Sequence, residues 1–342
     1  MIESNEKFSL LSLPRVSLTS LDGDLVLSNG LRVMRTLPLS IEDHWQRWIG
    51  EIRVNELQDA GCYLLVTGQT SSPEILDADN QELMQRICGF LDALLIVETP
   101  YCAASPFLLT GANVSGEIRI RQVSNLHTPI RHRSAKRRTL QQRDFEQAVI
   151  VAGSLTSIIS SQIYMRLKRA ISAFLAGIHD TRHDERLHQF CRCIDGIVLS
   201  GKGSGKKDFK SRTALFIGAV HEAVAEEIYE MRSAVEHLRP AESEAVGCAN
   251  LKAQRMRVIE RALQAEIIAR HCLNRILLSA DLLLRFENDE QIKQFWGMSE
   301  DDRRKAWGAL SIDTDLAQVV EPRFVENDDL GLPPSNEESC SA

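Results

Sequence analysis

Long apolar runs are missing from this chain of 342 residues. Leu94-Leu95-Ile96-Val97 and Ile276-Leu277-Leu278 are among its longest, far below the ~18 residues that a membrane span needs, so no membrane partner is expected. The first six residues include two acids and lead into no apolar signal core, so a cytoplasmic location is expected. The eight cysteines are dispersed and form no disulfide framework, which predicts reduced, packed thiols. Metal spacing is lacking too. Cys191 and Cys193 sit ~200° apart on a helix, no second Cys/His pair stands at zinc-finger spacing, and His179, His183 and His188 form no His-Glu-x-x-His pattern. Gly196 to Gly203 imitates the start of a phosphate loop, but position 203 is Gly where a magnesium-holding hydroxyl is required. Neither a metal nor another cofactor is therefore expected.

What the chain does have is ordinary globular composition, with 44% hydrophobic and 25% charged residues, which excludes global disorder. Residues 1–117 mix both periodicities and predict an α+β domain. Val16 to Leu27 and Leu31 to Leu37 flank turn signals and predict hairpin strands. Ser40 is expected to cap a helix carrying Ile41, Trp45, Trp48 and Ile52. A strand is predicted at Cys62 to Thr67, a helix at about Asn80 to Leu95, a Pro-containing loop at Thr99 to Pro106 and a strand around Glu117 to Val123.

From 144 to 290 the pattern is helical and predicts a bundle, followed by a helical extension over 291–320 and an acidic disordered tail over 321–342. Ile163, Leu167, Ala170, Ile171 and Phe174 form one stripe, and Leu187, Phe190, Ile194 and Val198 another. Ile217, Val220, Val224, Ile228, Met231, Val235 and Leu238 read as the face of one long helix, and Leu251 to Phe286 as a further one.

Charge divides the chain. The net of -7 contains a tail with six acids and one base, so residues 1–320 carry only -2. Residues 118–143 hold eight bases and no acid, read either as a solvated linker or as an RNA contact surface through Arg131, Arg133, Lys136, Arg137 and Arg138. No aromatic interleaves this run before Phe145.

The sharpest constellation is Tyr229-Glu-Met-Arg232-Ser-Ala-Val-Glu-His237-Leu-Arg-Pro240. Pro240 ends the helix, placing His237 at its C-terminal end, where the helix dipole favours imidazolium. Arg232 supplies a planar cation suited to phosphate. A five-residue step is an offset of ~140° on an ideal helix, so the pair shares a site only if the arginine wraps round or the last turn loosens.

Arg232 to His237, preceded by Ile228-Tyr229, resembles the Arg-x4-His motif of HEPN domains, in particular the ApeA-like group. Further matches stand in order at Arg166-Leu-Lys-Arg169-Ala170, Asp184-Glu-Arg186-Leu187, Ile194-Asp195-Gly-Ile and Lys210-Ser-Arg212-Thr-Ala214-Leu. They cover roughly residues 145–285. Asp195 stands where the family usually has Glu, and Leu238 where Gly is common. The resemblance implies a helical bundle that pairs about a two-fold axis and cleaves RNA without metal. Arg232 and His237 would be catalytic, with Ser233, Asp195 and Arg212 in support. It implies a homodimer with RNA as partner, in a stress or phage-defence setting, and an N-terminal domain that senses a trigger. The alternative it leaves open is a non-catalytic dimerisation or RNA/nucleotide-binding module.

Overall fold

The computed structural model describes residues 2–14, 16, 18, 23–99, 105–126, 139–201, 203–308, 312 and 316. An N-terminal antiparallel sheet region is followed by a mostly helical C-terminal part. The described residues divide into two compact units, the first ending at Ser157 and the second beginning at Ile158. Among the described residues no helix is long and apolar enough to cross a membrane.

The first unit is built on six strands, β1 (Glu6–Pro14), β2 (Leu25–Val26), β3 (Arg32–Met34), β4 (Ala60–Gln69), β5 (Phe107–Val114) and β6 (Glu117–Asn125). Their spatial order is β2-β3-β4-β1-β5-β6, with every neighbouring pair antiparallel. Strand β1, absent from the sequence expectation, lies at the centre, with Leu10 opposite both Leu65 and Leu109. Its run Phe8-Ser-Leu-Leu-Ser-Leu13 is buried throughout because the sheet is covered on both faces, which erases the polar alternation of a half-exposed strand. On one face, Phe8, Leu10, Tyr63, Leu65 and Leu109 pack with Leu39, Ile41, Val54 and Leu57. The other face receives α3 (Ala78–Val97) through Leu83, Ile87, Phe90, Leu91 and Leu94.

Several local expectations are corrected here. The helix over Ile41 to Ile52 is two helices, α1 (Asp43–Ile49) and α2 (Glu51–Gln58), because Gly50 adopts φ 94 between them; Trp48 and Ile52 face solvent. Glu42, not Ser40, precedes the first of them. The hairpin signal at Ser28-Asn29-Gly30 joins only β2 and β3. Strand β5 was not anticipated, and β6 takes Arg119 and Arg121 out of the basic run into the sheet. Arg131, Arg133, Lys136, Arg137 and Arg138 lie outside the described residues, as does the tail 321–342. Helix α4 (Gln142–Ser160) closes the unit with Phe145, Ala148, Val151 and Leu155 buried.

The second unit centres on α6 (His183–Val198), against which α5 (Met165–His179), α7 (Gly205–Ile217), α8 (Glu222–Glu236) and α9 (Leu251–Leu277) pack. Leu187, Phe190, Ile194 and Val198 are buried as their spacing predicts. Gly177 on α5 lets the Phe190 ring approach, since a Cβ there would stand 2.7 Å from it. The Ile217 to Leu238 stripe is not one helix face. Gly218 at φ 83 ends α7, a short 3-10 turn over Ala219–His221 follows, and Val220 and Leu238 are 82% and 96% exposed. Likewise Leu251 to Phe286 breaks at Ser279, whose side chain caps α10 (Ala280–Arg285). Helices α11 (Asp289–Gly297) and α12 (Glu300–Trp307) join the core through Trp296 and Trp307, both against Phe216.

One partly buried carboxylate in the first unit sets a pH signature. Desolvation pushes Asp92 on α3 up to about 6, so the folded state binds a proton that the unfolded state releases between about pH 4 and 6. Stability contributed by this group therefore falls as pH rises through that window. Asp92→Asn is expected to raise the unfolding free energy of the protein at pH 7 by about 1–3 kcal/mol and to have little effect at pH 4, measured by urea denaturation at both values.

Candidate functional site

Helix α8 ends where Pro240 requires it to, with His237 as its C-terminal cap. Leu238 then adopts φ 57, its N–H donates to Val235 O at 3.0 Å, and the Arg239 N–H donates to Ala234 O at 2.8 Å. This is the left-handed closure that glycine ordinarily makes. A leucine there is strained and packs against nothing. His237 is exposed beside it.

Arg232 is in a different setting. Its side chain is only 15% exposed, its guanidinium lies 5.7 Å from the Tyr229 ring centroid, and Nη1 is 3.1 Å from Glu236 Oε2. The buried Nε has no hydrogen-bond partner. Tyr229, Arg232 and Glu236 share one stripe of α8 at steps of three and four residues, whereas His237 is turned away by the ~140° offset. The last turn tightens toward i→i−3 bonding, with the His237 N–H shared between Ser233 O and Ala234 O at 3.2 and 3.1 Å.

The surroundings of Arg232 come from α6. His188, Cys191 and Asp195 are spaced three and four residues apart along one side of that helix. The charge of Arg232 acts on both His188 and Cys191, and the charge of Asp195 acts on Cys191 and on Arg166 of α5. Asp195 Oδ1 is buried without a hydrogen-bond partner. Arg166 itself is held by Asp289, at 2.6 and 2.9 Å. Burial first, then the cations Arg232 and Arg192, push the His188 imidazolium below the ordinary histidine range. Burial drives the Cys191 thiol well up, so it is a packed thiol and not a thiolate at neutral pH.

The residue pattern singles out Arg232, His237 and Asp195, and the structure adds His188, with Tyr229 and Glu236 of the same constellation, as the surroundings of the arginine. Their signal was the i, i+3, i+7 spacing on α6 and on α8. Arg212 has a structural post: Nη1 donates to Val198 O and Leu199 O at 2.7 and 2.6 Å, closing the end of α6, and its guanidinium stacks on Trp296. Ser233 is half-buried, and its carbonyl accepts the His237 N–H. Among the described residues no group of three His, Cys, Asp or Glu side chains is arranged to hold a metal.

No family model, curated protein or solved structure matches the chain.

The left-handed Leu238 yields a direct test of the helix end. Leu238→Gly relieves ~1–2 kcal/mol of backbone strain and loses no packing, against ~0.5–1 kcal/mol of added unfolded-state entropy. A net gain of about 0.5–1 kcal/mol in unfolding free energy is expected, and a loss of stability in chemical denaturation would show that the leucine is packed in solution.

Proposed function

We propose that this chain is a metal-independent endoribonuclease of the HEPN type, acting on RNA as a homodimer in the cytoplasm, in a stress or phage-defence setting. The observation that carries the reading is the split of the motif on α8. A sheltered guanidinium with an unpaired Nε lies on one side, and a solvent-facing histidine closes the helix on the other. A site so divided is completed by a second copy. RNA carries its own nucleophile, the 2'-hydroxyl, so the protein must move two protons and hold negative charge on phosphorus. Two copies of His237 and two of Arg232 meet those needs. Ser233 on α8 and Asp195 on the neighbouring α6 serve as supports, and the N-terminal sheet unit serves as the sensor of a trigger.

The second reading, a non-catalytic dimerisation or RNA-binding module, is favoured by one contact: Glu236 already occupies Arg232 Nη1. Incubation of the purified chain with single-stranded and structured RNA in EDTA separates the two. Fragments ending in a 2',3'-cyclic phosphate are expected, with rates falling at least ~100-fold in both Arg232→Ala and His237→Ala. Intact RNA at high concentration of a dimeric protein selects the second reading and removes the first.

A further inference from the structure

We propose that His188 is a second proton-transferring residue of the Arg232 site, one that each chain supplies to its own arginine, and that it takes the 2'-hydroxyl proton of the nucleotide whose phosphate Arg232 holds. This rests on the ribonuclease reading above. It gives the base and acid roles to two different histidines.

The placement is fixed by packing. Helices α6 and α8 lie against each other, with Leu187 and Met231 in one buried cluster, and the charges of Arg232 and Glu236 on α8 reach both His188 and Cys191, one turn apart on α6. His188 directly follows Leu187, and Arg232 directly follows Met231. Their side chains are 18% and 15% exposed, sheltered but open to a ligand. Four charged groups face the imidazole: Glu185 and Arg192 from α6 itself, and Arg232 and Glu236 from α8. No charge of α5, α7 or α9 is among the groups that act on it; Arg166 of α5 is paired with Asp289, and Glu266 of α9 with Arg186 and Arg270. Glu185 Oε2 stands 4.0 Å from His188 Nδ1, beyond a direct hydrogen bond but on the side that favours a proton on Nδ1. Nε2 is then the basic nitrogen.

A base must be neutral before it acts. Burial and the two arginines favour the neutral His188 imidazole. In the cleavage step the 2'-oxygen attacks phosphorus as its proton passes to His188 Nε2. The P–O5' bond breaks, its electron pair leaves with the 5'-oxygen, and that oxygen takes a proton from the His237 imidazolium of a second copy. The products are a 2',3'-cyclic phosphate and a 5'-hydroxyl. Proton exchange with water restores both histidines.

The experiment uses the full chain and an RNA oligonucleotide, comparing wild type with His188→Ala, His188→Gln, Arg232→Ala and His237→Ala across pH 5 to 9. His188→Ala is expected to lower kcat about 100-fold with little change in KM. The rising acid limb of the wild-type profile, with its midpoint below the ordinary histidine value, is expected to vanish in His188→Gln, which keeps size and polarity if the alanine variant fails to fold. Proton NMR of the imidazole supplies a readout independent of turnover: the His188 titration should move upward in Arg232→Ala. Wild-type kinetics in both His188 variants, with cleavage abolished in Arg232→Ala, overturns the role of His188 and leaves the ribonuclease standing. An unmoved His188 titration overturns the juxtaposition. Absence of cleavage by wild type at every pH overturns both.

Discussion

The helical unit depends on one guanidinium. Arg186 is wholly buried, and it donates Nη2 to Glu266 of α9 at 2.7 Å and Nη1 to Ile178 O and Asp180 O at 3.3 and 3.4 Å. A single side chain on α6 thereby meets α9 and the carbonyl end of α5. Burial works against its charge, and Glu266 works for it. Such a pair adds little net stability over an apolar substitute, but removing one partner strands the other and costs about 3–5 kcal/mol. Its contribution is therefore to register: it fixes how α6 sits between α5 and α9, and so which stripe of α6 is left for α8.

That constraint explains what could be read from the residues and what could not. Leu187, Phe190, Ile194 and Val198 were legible as a buried face because their period belongs to one helix and their partners on every side are helices. Pro240 was legible as a stop, since a missing N–H acts locally. The stripe from Ile217 to Leu238 misled because hydrophobic period runs on through a break. Gly218 at positive φ ended the helix, while Val220 and Leu238 kept the spacing in a turn and at a cap. In the sheet the reverse happened: β1 was hidden because its covering layers are distant in sequence, α3 on one face and α1 with α2 on the other. Burial on both faces is a tertiary fact that no local alternation can announce.

For the candidate site the same division holds. The ~140° offset between Arg232 and His237 follows from helix geometry alone. The shelter around the arginine does not follow from it, because α6 provides that shelter. His188 and Cys191 drew attention in the sequence as possible metal ligands, a question of residue type. Their significance instead lies in position, one turn apart on the helix edge beside Arg232. Arg212 shows the converse. Its place in a family-like string suggested a supporting role, and its Nη1 serves the open carbonyls at the end of α6, as unsatisfied helix ends generally engage nearby donors.

The Arg232–Glu236 pair bears on whether the site is closed to a phosphate or ready for one. Glu236 is about half exposed, and an i, i+4 pair of that kind contributes only ~0.3–0.5 kcal/mol in a screened setting. The carboxylate meets Nη1, while the buried Nε has no partner, so the guanidinium is only partly satisfied at rest. Charge-assisted hydrogen bonds to a phosphate are worth about 1.5–3 kcal/mol each and come in pairs on the arginine fork. If a phosphate binds there as the proposed function requires, the exchange favours it, and the displaced Glu236 would move into water that already reaches it. On this arithmetic the Arg232–Glu236 pair is compatible with that reading, because the acid partly neutralises Arg232 without being strong enough to block a phosphate.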